Sequence, residues 1–385
     1  TIPFRGAMIE CTTFRAESEY SDGRRPDSIR YASSIEEDLS RRDFTMNAIA
    51  VALPLGEVID PFDGRGDIAR RLIKTVGDPA ERFSEDGLRT LRAVRFSAME
   101  GFTLEKATLK AIPGALAITS RVAQERVRDE LIKLLSLQER SKAFLVMEAS
   151  GLMDLILPEL TRCRGIEQGG RHRHDVLDHL LAAVDASPRS RKHIALAALL
   201  HDVGKPASRA IDANGEYTFH GHERESAAMA GAILTRLKFP NKEIARVTHL
   251  IREHMFHYEP VWTDAAVRRF IARVGEDAIE DLFALRRCDA YAISHTSAEG
   301  SELDEFRRRI DGILAQKHAF TLKDLACNGY DLCSIGIPPG KTTGIVLKEL
   351  LSAVLDDPSL NEKGRLLEIA GNFVRDRGLL EGQSS

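Results

Sequence analysis

The chain reads as mainly α, with a short α/β part at its N-terminal end followed by helical segments. Three observations predict this. Period-two alternation is confined to the first part of the chain. From Ser84 onward apolar residues recur at spacings of three and four, the period of a helix face. The composition, with 43% hydrophobic and 29% charged residues, is that of a globular protein rich in the helix formers Arg, Glu, Leu and Ala. At 385 residues the chain can hold two or three domains and bury a sizeable core.

Charge and cysteine usage narrow the function classes. The formal net charge is −4, so no global basic excess announces nucleic acid, and RNA binding must rest on local sites. Cysteines at 11, 163, 288, 327 and 333 form no CxxC pair. That pattern fits free thiols in a reducing, cytoplasmic setting and argues against a cysteine zinc site. No apolar run is long enough to span a membrane, and the first residues show no signal-peptide pattern.

In chain order, residues 4–14 alternate as a strand, with Met8, Glu10 and Thr12 on one side and Ile9, Cys11 and Thr13 on the other. A polar loop follows at 17–28, with Asp22-Gly23 as a turn signal. Ser34 begins a short acidic segment, and residues 41–51 read as a helix. Residues 55–61 form a turn and short strand, and a bend at 64–67 leads into basic segments. Ser84 is a good N-cap, and Glu85 and Asp86 follow in the first turn, where the helix dipole favours acids. Leu88, Leu91 and Val94 share one face, while Asp86 and Arg89, three apart, are neighbours on another.

Thr119 or Ser120 is expected to cap a helix running through 121–135. Gly151 and Pro158 mark a break, and a Gly/Arg/His-rich connector at 162–173 separates two halves. Helices are expected near 175–186, 191–203, 222–238, 241–256, 264–274 and 276–293. After Lys317, Gly329-Tyr330-Asp331-Leu332 and residues 335–340 read as a loop before a helix at 342–356. There is no repeat and no low-complexity tract.

Several clusters carry candidate chemistry. A carboxylate next to a guanidinium, as at Asp86 and Arg89, offers acceptors beside a rigid donor fork and suits the edge of a nucleobase; the same spacing also gives an ordinary surface ion pair. Arg41 and Arg42 suit triphosphate oxygens or a ribose, with Asp43 and Asn47 four apart on one face. Ten of the twelve histidines lie between His172 and His257. His201-Asp202 ends an apolar run at 194–200 and is followed by Gly204, expected at C′. Imidazole with carboxylate suits Mn²⁺, Ni²⁺ or Zn²⁺. Lys205, one turn on, is placed to hold a phosphate. His220, His249 and His257 read as ordinary structural or surface groups.

Set together, Thr12-Thr13-Phe14-Arg15, Tyr20-Ser21-Asp22-Gly23-Arg24-Arg25-Pro26, Arg41-Arg42-Asp43 through Asn47-Ala48, Asp60-Pro61-Phe62 with Gly64 and Asp67, Glu85-Asp86 with Arg89, and Glu125-Arg126-Val127 resemble the bacterial-type (class II) tRNA nucleotidyltransferases and their poly(A) polymerase relatives. The resemblance implies a polymerase β-like nucleotidyltransferase head, here residues 1–66, a nucleobase-reading neck at 67–160, a helical body at 161–316 and a tRNA-binding tail at 317–385. It implies that Arg41, Arg42 and Asp43, with Asn47, act on the ribose and triphosphate. Asp86 and Arg89 would read the incoming base without a template, with Glu85 orienting the arginine; Arg92 and Arg95 suit phosphate or tRNA contact. The implied activity is addition of CCA, or part of it, to tRNA 3′ ends from CTP and ATP, with no DNA or membrane partner.

The body resembles the HD-domain family, whose pattern H…HD…H…H…D falls on His179, His201, Asp202, His222, His254 and Asp289. That implies a divalent metal such as Ni²⁺ or Mn²⁺, and an alternative function as a phosphohydrolase of 2′,3′-cyclic or terminal phosphates. Poly(A) polymerase and a non-catalytic RNA-binding remnant are further alternatives. One departure stands out: the family's Gly-Gly strand–helix motif and its Mg²⁺-binding Asp-x-Asp pair do not precede Phe4. Glu10 is at most a third carboxylate. The expectation is therefore a truncated chain that binds nucleotide poorly and catalyses no transfer.

Overall fold

The structure, a computed structural model, describes residues 1–4, 6–17, 29–169, 174–294 and 300–379. Most of the loop expected at 17–28, with the Tyr20 to Pro26 segment, lies outside the described residues, as does His172. The chain forms two compact units, residues 1–254 with 288–295, and residues 255–287 with 296–385. The expected mainly helical fold with small sheets is what the structure has.

The first unit opens on two short antiparallel pairs, β1 (Ile2–Phe4) with β2 (Ala7–Ile9) and β3 (Arg15–Glu17) with β4 (Ile29–Tyr31). The single strand expected over 4–14 is thus broken. Gly6, at φ +82°, turns the chain back, and residues 10–14 are not in a strand. Next, α1 (Ile35–Ser40) is capped by Ser34, whose hydroxyl accepts from the Glu37 N–H.

The helix expected over 41–51 does not form. A turn and bends at 41–43 and a 3₁₀ turn, Thr45–Asn47, take its place. The cause is local and tertiary together. The Asp43 carboxylate accepts from the Phe44 N–H, competing with a helical bond. Phe44 is extended and bridged to Thr75, with its ring fully buried edge-on to Phe96. A hairpin of β5 (Ala50–Ala52) and β6 (Glu57–Ile59), then α2 (Gly64–Ala69) and β7 (Leu72–Ile73), complete this part.

Asp78 caps α3 (Pro79–Glu85), with Pro79 at the first helical position. Ser84 is therefore not an N-cap; it sits in the last turn of α3 and donates to the Glu81 carbonyl. Asp86 is extended (φ −147°, ψ 109°), and α4 (Leu88–Ser97) begins afresh. Gly87, itself helical (φ −57°), serves close approach: a Cβ there would lie 2.6 Å from the Thr119 backbone nitrogen. Leu88, Leu91 and Val94 are buried, as their spacing predicts.

After β8 (Thr103–Leu104), parallel to β7, come α5 (Lys106–Ala111), α6 (Leu116–Thr119) and α7 (Gln124–Leu135). Thr119 ends α6 rather than capping α7, and residues 121–123 are not helical. The helices α7 and α8 (Arg140–Ala149) pack on α4. Gly151 (φ +78°) and Pro158 separate α9 (Leu152–Ile156) and α10 (Pro158–Thr161), at the expected break.

Then α11 (Val176–Ala186), α12 (Lys192–Leu200), α13 (Lys205–Ser208), a β9 (Ala210–Ile211) and β10 (Tyr217–Thr218) hairpin, α14 (His222–Arg236) and α15 (Asn241–Glu253) follow. Gly204 is not a left-handed C′ residue (φ −84°). Its use is close approach: a Cβ would lie 2.5 Å from the Ser226 nitrogen on α14.

The second unit contains α16 (Asp264–Val274), most of α17 (Glu276–Ser294), α18 (Gly300–Leu314), α19 (Gly329–Ser334), α20 (Lys341–Asp356) and α21 (Lys363–Asp376). Phe256, Phe270, Phe283 and Phe306 form an aromatic core, with Tyr258 stacked 4.2 Å from Phe306. The loop expected at 329–332 is instead α19, nucleated by a capping box between Asn328 and Asp331. Among the described residues no helix is long and apolar enough to cross a membrane.

Candidate nucleotide and metal sites

The first site is built where the end of α1 meets the α3–α4 break. Asp38, buried on α1, accepts from Arg41 Nη2 at 2.6 Å and Nε at 3.1 Å on one oxygen, and from Arg42 Nη2 at 2.8 Å on the other. Asp43 accepts from Asn47 Nδ2 at 3.0 Å and from Arg92 Nε at 2.5 Å. Arg89 donates to the Glu85 carboxylate and to the carbonyls of Arg82 and Arg41, both at 3.0 Å. Two groups result: Arg41 and Arg42 on Asp38, tied through the Arg41 carbonyl to Arg89 and Glu85, and Asn47 and Arg92 on Asp43.

Asp86 and Arg89 do not pair with each other, because Asp86 is extended rather than helical. Its carboxylate is held by Arg126 at 2.8 and 3.3 Å. Arg95 is drawn onto Glu130 at 2.6 Å, with its guanidinium 4.0 Å from the centre of the Phe96 ring. Glu10 is exposed and belongs to no group of three potential metal ligands among the described residues. The sequence reading missed Asp38 and Glu130. Asp38 sits three and four residues before the two arginines, which is the helical ion-pair spacing that would have found it.

The second site lies among α11, α12, α14, α15 and residues 288–294 of α17. Asp175 caps α11 and sets His179 one turn in. The His201 ring Nδ1 lies 2.9 Å from the Ala198 carbonyl, His222 Nδ1 2.7 Å from Phe219, and His254 Nδ1 2.6 Å from Ile251. A carbonyl only accepts, so each Nδ1 carries the proton. In the neutral imidazole that leaves Nε2 as a bare acceptor, the form that binds metal.

Those Nε2 atoms converge. His179 Nε2 lies 3.1 Å from His201 Nε2, 3.1 Å from Asp289 Oδ1 and 3.4 Å from Asp202 Oδ2. His222 Nε2 lies 3.1 Å and His254 Nε2 3.7 Å from Asp202 Oδ1. Two ligand atoms each about 2.1 Å from one ion are about 3.0–3.4 Å apart in ordinary geometries, so the spacing fits divalent metal. Two trios result, His179–His201–Asp202 and Asp202–His222–His254, sharing the aspartate. All six side chains are buried. Asp202 Oδ1 and His222 Nε2 lack a well-aligned hydrogen bond despite their proximity, as expected of donors arranged for an ion.

The carboxylates and His254 agree with that arrangement, whereas at His201 burial is outweighed by the Asp202 and Asp289 carboxylates, which raise the imidazole above its usual value. Burial pushes the Asp202 carboxyl up, but His201, Lys205, His222 and His179 outweigh it and hold the group well below the usual carboxylate range. Asp289 is likewise held low by His179 and His201 against burial. Burial pushes His254 down to about 4, helped by the neighbouring His201. Lys205 is buried and donates to Asp202 Oδ2 and Gln168 Oε1, both at 2.6 Å.

Three family models match the chain: the poly A polymerase head domain over residues 1–74, the probable RNA and SrmB-binding site of polymerase A over 101–163, and the HD domain over 171–293. The A-adding tRNA nucleotidyltransferase of Deinococcus radiodurans is 36% identical over 85% of this chain and 77% of its own length. The CCA-adding enzyme of Limosilactobacillus fermentum is 32% identical over 96% of this chain and 80% of its own. Among solved structures, the Bacillus stearothermophilus CCA-adding enzyme in complex with CTP superposes with a TM-score of 0.67 at 27% identity, covering 95% of this chain and 79% of that one.

Proposed function

Because the chain belongs to the tRNA nucleotidyltransferase family of the CCA-adding enzymes, we propose that it serves the template-independent addition of all or part of CCA to tRNA 3′ ends from CTP and ATP. The observation that carries the reading is a pair of contacts between the two segments, Arg89 to the Arg41 carbonyl and Arg92 to the Asp43 carboxylate. They fix a triphosphate-binding segment and a base-reading segment against one another. In this reading Arg41 and Arg42 bind the triphosphate, and Asp43 and Asn47 bind the ribose. Asp86 and Arg89 read the base, with Glu85 and Arg126 holding them in place. Residues 1–66 act as head, 67–160 as neck, 161–316 as HD body and 317–385 as tRNA-binding tail. A tRNA substrate implies work in the cytoplasm.

The family chemistry uses Mg²⁺ to activate the tRNA 3′-hydroxyl and neutralise the triphosphate. Among the described residues Glu10 belongs to no group of three possible metal ligands. The test joins a family Asp-x-Asp-bearing strand ahead of residue 1. The folded chimera should add nucleotides to tRNA lacking its 3′ end; a folded chimera that adds none overturns the proposal.

The buried histidine–aspartate cluster favours a second activity, hydrolysis of a phosphomonoester or 2′,3′-cyclic phosphate. His179, His201, Asp202 and Asp289 would hold one Ni²⁺, Mn²⁺ or Zn²⁺, and Asp202, His222 and His254 a second. When bound, such an ion supplies Lewis acidity and a nucleophile near neutral pH. Lys205 would move from Asp202 to a phosphate oxygen. After reconstitution with Ni²⁺ or Mn²⁺ the protein should retain metal and hydrolyse a generic phosphomonoester. Asp202→Ala should lose both. A parent without bound metal, or an Asp202→Ala variant as fast as the parent, makes the cluster structural.

A further inference from the structure

We propose that Asp38 is a positioning residue that aims Arg41 and Arg42 as a single cradle for the phosphates of the incoming nucleotide. The inference rests on the reading of those arginines as triphosphate ligands. The Asp38 side chain is 3% exposed, while those of Arg41 and Arg42 are 22% and 44% exposed. The carboxylate is thus an inner anchor, and the guanidinium groups are its outward face. Arg41 grips one oxygen through both Nε and Nη2, and Arg42 takes the other through Nη2.

The anchor is itself fixed. Ser34 caps α1, the neighbouring Leu39 is buried, and the Arg41 carbonyl accepts from Arg89. Arginine carries substantial rotamer entropy when free. Holding two such side chains before the nucleotide arrives removes that ordering cost from binding.

The sign of one substitution separates positioning from simple charge balance. Asp38→Asn removes a negative charge beside the phosphate site. If Asp38 were only a counter-charge, CTP would bind more tightly. If it aims the arginines, CTP and ATP should both bind about tenfold more weakly, the loss expected for disturbed charge-assisted hydrogen bonds. The order of CTP, ATP, UTP and GTP should not change, since Asp86 and Arg89 are untouched. CMP, with fewer phosphate oxygens, should be affected less.

Arg41→Lys is the companion variant. It leaves α1 and Asp38 in place and keeps the charge, but lacks the two-pronged grip. It should give a similar loss, and combining it with Asp38→Asn should add little, as for residues acting through one contact.

Calorimetric titration of the 385-residue protein with CTP, ATP and CMP reads all of these. Unchanged or tighter CTP binding in Asp38→Asn overturns the proposal, as does a loss equal for CTP and CMP, which marks general loosening. If Asp38→Asn does not fold, Arg41→Lys decides alone, and unchanged CTP affinity overturns the inference. Arg41→Ala and Arg42→Ala run beside them. A parent that binds no CTP, or alanine variants that bind it normally, overturns the underlying nucleotide reading instead.

Discussion

Arg89 bonds at once to Glu85, to the Arg82 carbonyl and to the Arg41 carbonyl, so a residue read as a base selector is also a structural tie. Replacing it should therefore do two separable things. In a transfer-competent chimera, Arg89→Ala should reduce the preference for CTP and ATP over UTP and GTP by about 1–3 kcal/mol, roughly 5-fold to 150-fold. Unchanged preference, measured by single-nucleotide incorporation, would mark Arg89 as a tie alone. The motifs singled out these residues, but their partners were not legible from spacing. Asp86 and Arg89 look like helix neighbours by spacing, but Asp86 is extended between α3 and α4 and meets Arg126 instead. The converging histidines were legible only through the HD pattern, since spacing says nothing of residues 110 apart such as His179 and Asp289 meeting at 3.1 Å.

The elements themselves obey local chemistry where one side chain decides, and tertiary contacts elsewhere. The helix expected at 264–274 is found as Asp264–Val274, because a Thr263 cap and Gly275 punctuate a strong apolar stripe. The segment at 41–51 fails because burial of Phe44 overrides its helical spacing.

Helix α11 gives two tests. At its start the Asp175 carboxylate accepts from the Asp178 and Gly165 N–H groups and from Arg164. Burial raises that carboxyl, but these bonds outweigh it and hold it below its usual value. A carboxyl depressed on folding stabilises above its unfolded pKa of about 3.9, and that stability is lost as pH falls through the folded value. Asp175→Asn keeps a capping acceptor but takes up no proton. Its deficit, about 1 kcal/mol at pH 7, should shrink below about pH 4. Urea midpoints that differ by the same amount at pH 7 and pH 3 would contradict this.

At the other end of α11, the buried Arg140 donates to the carbonyls of Val184 and Ser187. Arg140→Ala should cost about 2–4 kcal/mol by leaving those acceptors unsatisfied next to the negative end of the helix. A variant that melts with the parent would show that water replaces the guanidinium.

For the molecule as a whole, the mainly helical architecture was readable from periodicity. The division into two compact units was not, because residues 255–287 group with the C-terminal part while 288–295 group with the first unit. No linker composition marks that exchange; it arises from packing of the aromatic core around Phe256, Phe270, Phe283 and Phe306. The central claim is that the segment carrying Asp86 and Arg89 selects C and A without a template. Equilibrium binding of CTP, ATP, UTP and GTP to the 385-residue protein tests it most directly. CTP and ATP should bind at least about tenfold more tightly than UTP and GTP, the discrimination a pair of base-edge hydrogen bonds supplies. Equal affinity for all four, or none for any, would contradict it.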